Sequence, residues 1–252
     1  VPTKNAGHAE EIAYELAIKN KPVVIVASSG DGGYHEVING IMRSGNTAVI
    51  AGTIPSGNAN DHYRNTYNQT VAKSINAKQF KKIDLLHMQV KMGSRTVLSK
   101  YAHSYIGIGV SAEVAEEINR GAKSPITEKL AGIKTFFTFQ YFRILKENKV
   151  LKVDSLLVNN IPEMAKTLTV AGNVRPGDGS FGLVLHQHRS RLNLFRFFAR
   201  AHFAEAQAKR MKKIEFTLLS SVSVQMDGEV YRLSKGSQVT IKNVASALTT
   251  FS

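Results

Sequence analysis

Two glycine-rich loops and one acidic turn carry the side chains best suited to chemistry. The first loop, Ser28-Ser29-Gly30-Asp31-Gly32-Gly33, joins the apolar run Val23-Val24-Ile25-Val26-Ala27 to a helical pattern through Val37, Ile38 and Ile41. Glycines at such a junction let backbone N–H groups approach a phosphate, and the helix N-terminus adds a partial positive charge. Asp31 stands where a carboxylate could hold magnesium, directly or through water. The same residues also read as a plain tight turn with Asp31 as helix cap. The second loop, Pro55-Ser56-Gly57-Asn58-Ala59-Asn60-Asp61, repeats the design after the next strand, with Asn60 or Asp61 as the alternative cap. Two such loops on successive strands favour a shared role, in which Asp31 and Asp61 could converge on one nucleotide. Near the C-terminus, Asp227-Gly228-Glu229 reads by residue type alone as a hairpin turn, because Asp-Gly is a common turn pair.

The elements around the loops set where they lie. Ala9, Ile12, Ala13 and Leu16 recur at helical spacing over Gly7 to Asn20. Val23 to Ala27 and Thr47 to Ala51 have the short apolar form of strands buried on both faces. Gly45 and Asn46 stop the helix between them. Strand, loop, helix, strand is the rhythm of a parallel α/β sheet, whose ligands sit at the carboxyl ends of the strands. Both loops fall there.

Near residue 80 the rhythm changes to short strands: Lys82–Val90, Thr96–Leu98, Ser104–Gly109, Ser155–Asn159, Thr167–Ala171, Gly182–His186, Ile214–Leu219, Ser223–Met226 and Val239–Asn243. Two helical stretches, Ala112–Arg120 and Ile126–Glu147, interrupt them. The expected organisation is an α/β domain over residues 1–80 and a sandwich or barrel-like all-β domain over 81–252, with the last residues returning to the first domain. No internal repeat or low-complexity linker separates the two.

Composition narrows the class. The 252 residues are 43% hydrophobic and 21% charged, which is globular rather than disordered. With no cysteine, neither a disulfide framework nor a thiolate metal site is available, which fits a reducing cytoplasm. No apolar run reaches the roughly 18 residues of a membrane span. The opening Val1-Pro2-Thr3 has no initiator methionine, so a longer precursor is expected. Lys and Arg number 33 against 19 Asp and Glu, a net +14 that favours a polyanionic partner: nucleotide phosphates, an anionic membrane or nucleic acid.

These loops carry a family resemblance. Val26 to Gly40, with Glu36, Asn39 and Gly40, resembles the GGDGT segment of diacylglycerol kinase catalytic domains, and Ile54 to Arg64 resembles that family's P-x-GT-x-ND-x-x-R loop. Lys82-Ile83-Asp84-Leu85 is similar to its I-D-L strand. Tyr105 to Gly109 with Ala112-Glu113-Val114 is similar to its G-x-G-x-D-A-E-V segment, and Val224 to Glu229 to its V-Q-x-D-G-E motif. The matches run in the family's order along essentially the whole chain. They imply an α/β nucleotide-binding domain like that of NAD kinases and phosphofructokinases, then a β-sandwich, with ATP and Mg2+ in the cleft between.

The resemblance further implies roles. Asp227 would be the general base on a lipid hydroxyl, and Glu229, facing the same side if the segment stays extended, would orient it or meet the metal. Asp31, Asp61 and Asp84 would hold magnesium. Ser29, Gly30, Asp31, Gly32, Gly33, Ser56, Gly57, Asn58 and Asn60 would line the nucleotide. The sequence departs from the family at three of these positions: Gly33 and Asn58 replace threonines, and Ser29 replaces a glycine. The family's opening strand and its asparagine-proline phosphate loop are not matched, so an N-terminally incomplete α/β domain is expected. Pro176-Gly177-Asp178-Gly179 resembles a shortened metal loop of some bacterial members and, lacking one aspartate, is assigned no metal.

The function expected is transfer of the γ-phosphate of ATP to a lipid alcohol such as diacylglycerol, at the cytoplasmic face of an anionic membrane. A catalytically inactive binder of nucleotide or lipid is the first alternative, motivated by Gly33 and Asn58. Nucleic-acid binding is the second; charge alone suggests it, and no recognisable motif or stacking aromatics support it. Arg189 to Lys213 mixes basic residues with Leu192, Leu194, Phe195, Phe197, Phe198 and Phe203. It reads as a helix packed on the second domain with a solvated basic face, or as a membrane-docking helix. His186 and His188 share a strand face and could bind metal, but an ordinary exposed strand is expected.

Overall fold

The computed structural model describes residues 1–19, 22–121, 134–135, 138–166, 168–203 and 208–252. Six helices are described: α1 (His8–Lys19), α2 (Asp31–Ser44), α3 (Asp61–Thr66), α4 (Val71–Asn76), α5 (Val110–Gly121) and α6 (Arg191–Phe203). The strands are β1 (Val23–Ser29), β2 (Val49–Pro55), β3 (Phe80–Met92), β4 (Arg95–Ala102), β5 (Tyr105–Gly109), β6 (Phe142–Lys146), β7 (Lys149–Asn159), β8 (Glu163–Met164), β9 (Leu168–Thr169), β10 (Phe181–Gln187), β11 (Lys209–Met211), β12 (Lys213–Leu218), β13 (Val222–Met226), β14 (Glu229–Leu233) and β15 (Gln238–Phe251). An α/β N-terminal region is followed by a strand-rich region. No described helix is long and apolar enough to cross a membrane.

In the first region β1 and β2 pair in parallel, Ile25 opposite Ala51. Helix α2 covers them with Tyr34, Val37, Ile38 and Ile41, all buried in one core with Ala13 and Ala17 of α1. The helices α1 and α2 touch where Gly40 lies: a Cβ there would sit 2.1 Å from Glu10 O. Glu36 binds the start of α1 through Gly7 N (2.7 Å) and Ala9 N (3.1 Å). Asn39 pairs with both the N–H and the carbonyl of Tyr101 at 2.9 Å, as a neighbouring strand would. The trailing residues of the first motif thus build the fold rather than the site. One expectation is corrected: β1 is not buried on both faces. Among the described residues it pairs only with β2, and Val24 and Val26 are exposed.

The strand-rich region packs around a second core that includes Met88, Ile106, Ile108, Phe142, Ile144, Leu156, Val158, Phe181 and Val224. The two regions share one sheet. Thr249 and Thr250 at the end of β15 pair in parallel with Ile50 and Ala51 of β2, while β15 runs antiparallel to β3 along nearly its whole length. The helix expected over Ile126–Glu147 is corrected at its C-terminal part. Phe142 and Ile144 alternate inward as strand β6, followed by a turn at Glu147 and Asn148. Two-residue alternation there outcompetes helical propensity once β7 and β12 offer partners. Residues 126–133 and 136–137 of that stretch lie outside the described residues.

Candidate active site

The carboxyl ends of β1 and β2 press the two glycine loops together. Ser56 N donates to Ser29 O at 3.2 Å, and the hydroxyls of Ser28 and Ser56 meet at 2.8 Å. Gly30 and Gly57 touch backbone to backbone: a Cβ on Gly57 would lie 2.4 Å from Gly30 Cα. Gly30 is the N-cap of α2, and no side chain caps that end. Among the described residues, no side chain is bound to the first N–H groups of this helix of 14 residues.

The second loop is held by its own side chains. Asn60, in the left-handed region at φ 52°, accepts from Gly57 N at 3.0 Å and donates to Gly57 O at 2.7 Å. Its amide is engaged inside the loop and fixes the loop's shape. Asn58 Oδ1 accepts from Lys166 Nζ at 2.5 Å.

The three carboxylates expected to share a magnesium ion are separately engaged. Asp31 caps α3, each oxygen accepting at 3.0 Å, one from Asp61 N and one from His62 N. Asp61 is fully buried and accepts from Ala165 N (2.7 Å), Lys166 N (3.0 Å), Arg64 (2.7 Å) and the Tyr105 hydroxyl (3.2 Å). Burial pushes its carboxyl up and the charge of Asp31 adds to this, against the two N–H groups and Arg64. Asp84 accepts from Gly179 N (2.8 Å), Ser246 N (2.8 Å) and Asn243 Nδ2 (2.9 Å), tying β3 to the turn at Gly179 and to the irregular stretch of its partner strand β15. Among the described residues no three potential ligands converge on one point. A direct cage of Asp31, Asp61 and Asp84 does not fit this arrangement, because the three do not converge on one point and each is engaged by donors of its own.

Asp227 enters from the strand-rich region. Asp227 and Gly228 form the two-residue turn of the β13–β14 hairpin, both at positive φ, with Met226 opposite Glu229. The turn that residue type suggested is present, and it is also what aims the carboxylate. The segment is therefore not extended, a correction: Glu229 begins the returning strand. Asp227 is fully buried, with Oδ1 accepting from Ser104 N (2.9 Å) and Tyr105 N (3.1 Å) and Oδ2 from His103 N (2.9 Å). His35 Nδ1 lies 3.1 Å from Oδ2, and its Nε2 lies 3.2 Å from the Tyr231 hydroxyl. Burial pushes the Asp227 carboxyl up, but His103, His35 and the backbone donors outweigh it and hold the group down at about 2. The carboxylate is thus kept ionised and fixed in place by its donors. Glu229 is half-buried, and its Oε1 would sit 2.8 Å from a Cβ on Gly32, so it faces the first turn of α2.

His35, His103, Tyr105, Tyr231 and Lys166 were not singled out from the sequence. His35 and Tyr105 alone offered a signal, His35 lying inside the first motif between Gly33 and Glu36 and Tyr105 opening the segment Tyr105 to Gly109. The others arrive from residues far along the chain. His186 and His188, expected on an ordinary exposed strand, share the buried Asp154 at 3.3 and 2.8 Å. Asp178 is neutralised by Arg210 at 3.0 Å.

Comparison with known proteins agrees with this architecture. Residues 1–88 match the family model described as the diacylglycerol kinase catalytic domain. No curated protein matches the sequence. Among solved structures, a diacylglycerol kinase of Bacillus anthracis strain Sterne is similar with TM-score 0.73 and 20% identity, over 99% of this chain and 83% of that one. A candidate diacylglycerol kinase from the same organism gives 0.71 and 20% over the same shares. At that identity the likeness shows the fold.

Proposed function

We propose that this chain is the catalytic region of a lipid kinase that moves the γ-phosphate of ATP to a lipid hydroxyl such as that of diacylglycerol. The observation that carries the reading is the contact of Gly30 with Gly57 beneath the hairpin bearing Asp227 and Glu229. The uncapped N–H groups of α2 would meet phosphate beside the Gly30–Gly57 contact, and Ser29 and Ser56 line the same junction. ATP supplies the phosphoryl group, and magnesium would enter with its phosphates. Phosphoryl transfer asks the protein mainly for positioning and charge neutralisation.

Asp227 keeps its charge and holds His35 in the tautomer that donates from Nδ1, which leaves Nε2 as the proton-accepting atom. The pair His35–Asp227 would take the proton of the lipid hydroxyl by way of the Tyr231 hydroxyl, which lies 3.2 Å from His35 Nε2 and would pass on its own proton as it receives the lipid's. Glu229 is the carboxylate nearest the phosphate loop and would meet the acceptor or the metal that accompanies ATP. The acceptor would lie in an anionic membrane at its cytoplasmic face.

The test is transfer of label from ATP to a lipid extract with magnesium. The Asp227→Asn variant is expected to bind ATP normally and to lose at least about a hundredfold in rate, the scale of general-base contributions. Full retention of transfer would count decisively against the assignment. A second reading, a non-catalytic binder, draws on the saturation of Asp227 by protein donors. ATP binding with no lipid labelled by the wild type would favour it.

A further inference from the structure

We propose that the outer face of α6 is a docking surface for an anionic lipid bilayer. The helix is fastened by one side. Leu194 is buried, and Phe197 and Phe198 pack against the core of the strand-rich region. The opposite side carries Leu192, 56% exposed, and Phe195, 58% exposed, one helical turn apart. Arg191, Arg196 and Arg200 stand exposed around them, with Arg189 just before the helix. From Gln187 to Phe203 the sequence has four arginines and no acidic residue. Among the described residues none of these arginines pairs with a carboxylate, although other surface cations of the protein do. The sequence left two readings open, a helix packed on the domain with a solvated basic face and a membrane-docking helix. Two large apolar side chains ringed by cations match the chemistry of an anionic interface, where rings and aliphatic chains enter the acyl boundary and guanidinium groups meet phosphates. The charge rules out a neutral apolar partner as the best fit.

The placement also connects the surface to the site. Phe197 packs in a cluster with Met164, Leu168 and Tyr105. Met164 and Leu168 flank the turn whose Ala165 and Lys166 N–H groups hold Asp61, and Lys166 Nζ holds Asn58. A bilayer seated on α6 would lie directly behind the hairpin that closes the second glycine loop.

The experiment is co-sedimentation with vesicles of phosphatidylcholine, with and without phosphatidylglycerol, in the absence of ATP. The wild type is expected to sediment with the anionic vesicles only, and to be released by salt. Each neutralised arginine should weaken binding about fivefold, so Arg196→Gln with Arg200→Gln should weaken it about 25-fold. Leu192→Ser with Phe195→Ser should weaken it at every salt concentration. All four side chains are exposed or on the exposed face, so the variants should keep the wild-type circular dichroism and melting. Unchanged sedimentation of either double variant would overturn the proposal, as would a wild type that binds heparin or RNA but no vesicle. Because ATP is absent, failure here leaves the kinase assignment standing, and loss of phosphate transfer leaves the docking surface standing.

Discussion

A Cβ placed on Gly33 would lie 2.8 Å from Cβ of Ser29 and 3.2 Å from its hydroxyl, so only one of these two positions can carry a side chain. The two departures from the diacylglycerol kinase pattern in this loop are therefore one exchange. Residue 29 would then supply, across the first turn of α2, the hydroxyl expected from residue 33. Ser29 Oγ is buried and has no hydrogen-bond partner among the described residues, which suits a group waiting for a ligand. Gly33→Thr alone should cost about 1–3 kcal/mol by overpacking, more than the few tenths gained in helix propensity. Ser29→Gly with Gly33→Thr should recover most of that loss in a denaturant melt. Simple additivity of the two single variants would show that the sites are independent.

Gly57→Ala is expected to separate the loops, since the new Cβ would meet backbone at 2.4 Å rather than a movable side-chain tip. Isothermal titration should then find ATP affinity reduced at least tenfold, about 1.4 kcal/mol. Unchanged affinity would mean that the loop junction is not the phosphate cradle.

Gly32→Ala separates stability from function. The added methyl meets only the end of the Glu229 side chain, at 2.8 Å, which can swing away. Helix propensity should raise stability by up to about 1 kcal/mol. Phosphate transfer should nonetheless fall toward the level of Glu229→Gln, because the carboxylate is displaced from the loop. A Gly32→Ala enzyme as active as the wild type would remove Glu229 from the mechanism.

Burial would raise the Asp227 carboxyl, but His103, His35 and backbone N–H groups hold it down at about 2, below the usual carboxylate range. Its folded value is the lower one, so its stabilisation is complete above about pH 4 and is lost as pH falls through about 2. That stabilisation is on the order of 2 kcal/mol. The difference in unfolding free energy between wild type and Asp227→Asn should therefore be flat near neutral pH and shrink progressively below about pH 4. A difference that grows on acidification would contradict the sign.

Asp84→Ala should act through folding. It would leave Gly179 N, Ser246 N and Asn243 without their acceptor in a buried place, at a cost of about 3 kcal/mol or more. Magnesium should not restore the melting temperature. Metal-dependent rescue would reinstate Asp84 as a ligand.

The sequence by itself determined the elements that repeat a local rule. Val23 to Ala27 followed by glycines gives a strand running into a helix start, and Ile54 to Asp61 does so again, because apolar periodicity and glycine punctuation act over a few residues. The Asp-Gly pair likewise announced the hairpin at Asp227 without help from the rest of the chain. Only the tertiary structure decided what those residues face. Asp227 meets His35 across 192 residues and His103 across 124, and Asp61 meets Lys166 across 105. Such pairings depend on how two cores are joined through β15, and no local pattern encodes them. This is why Asp31, Asp61 and Asp84, alike as isolated carboxylates, became a helix cap, a buried clamp and a tie between β3, β15 and the turn at Gly179. A carboxylate's role is set by which donors fill its oxygens, and here the donors are backbone N–H groups delivered by folding.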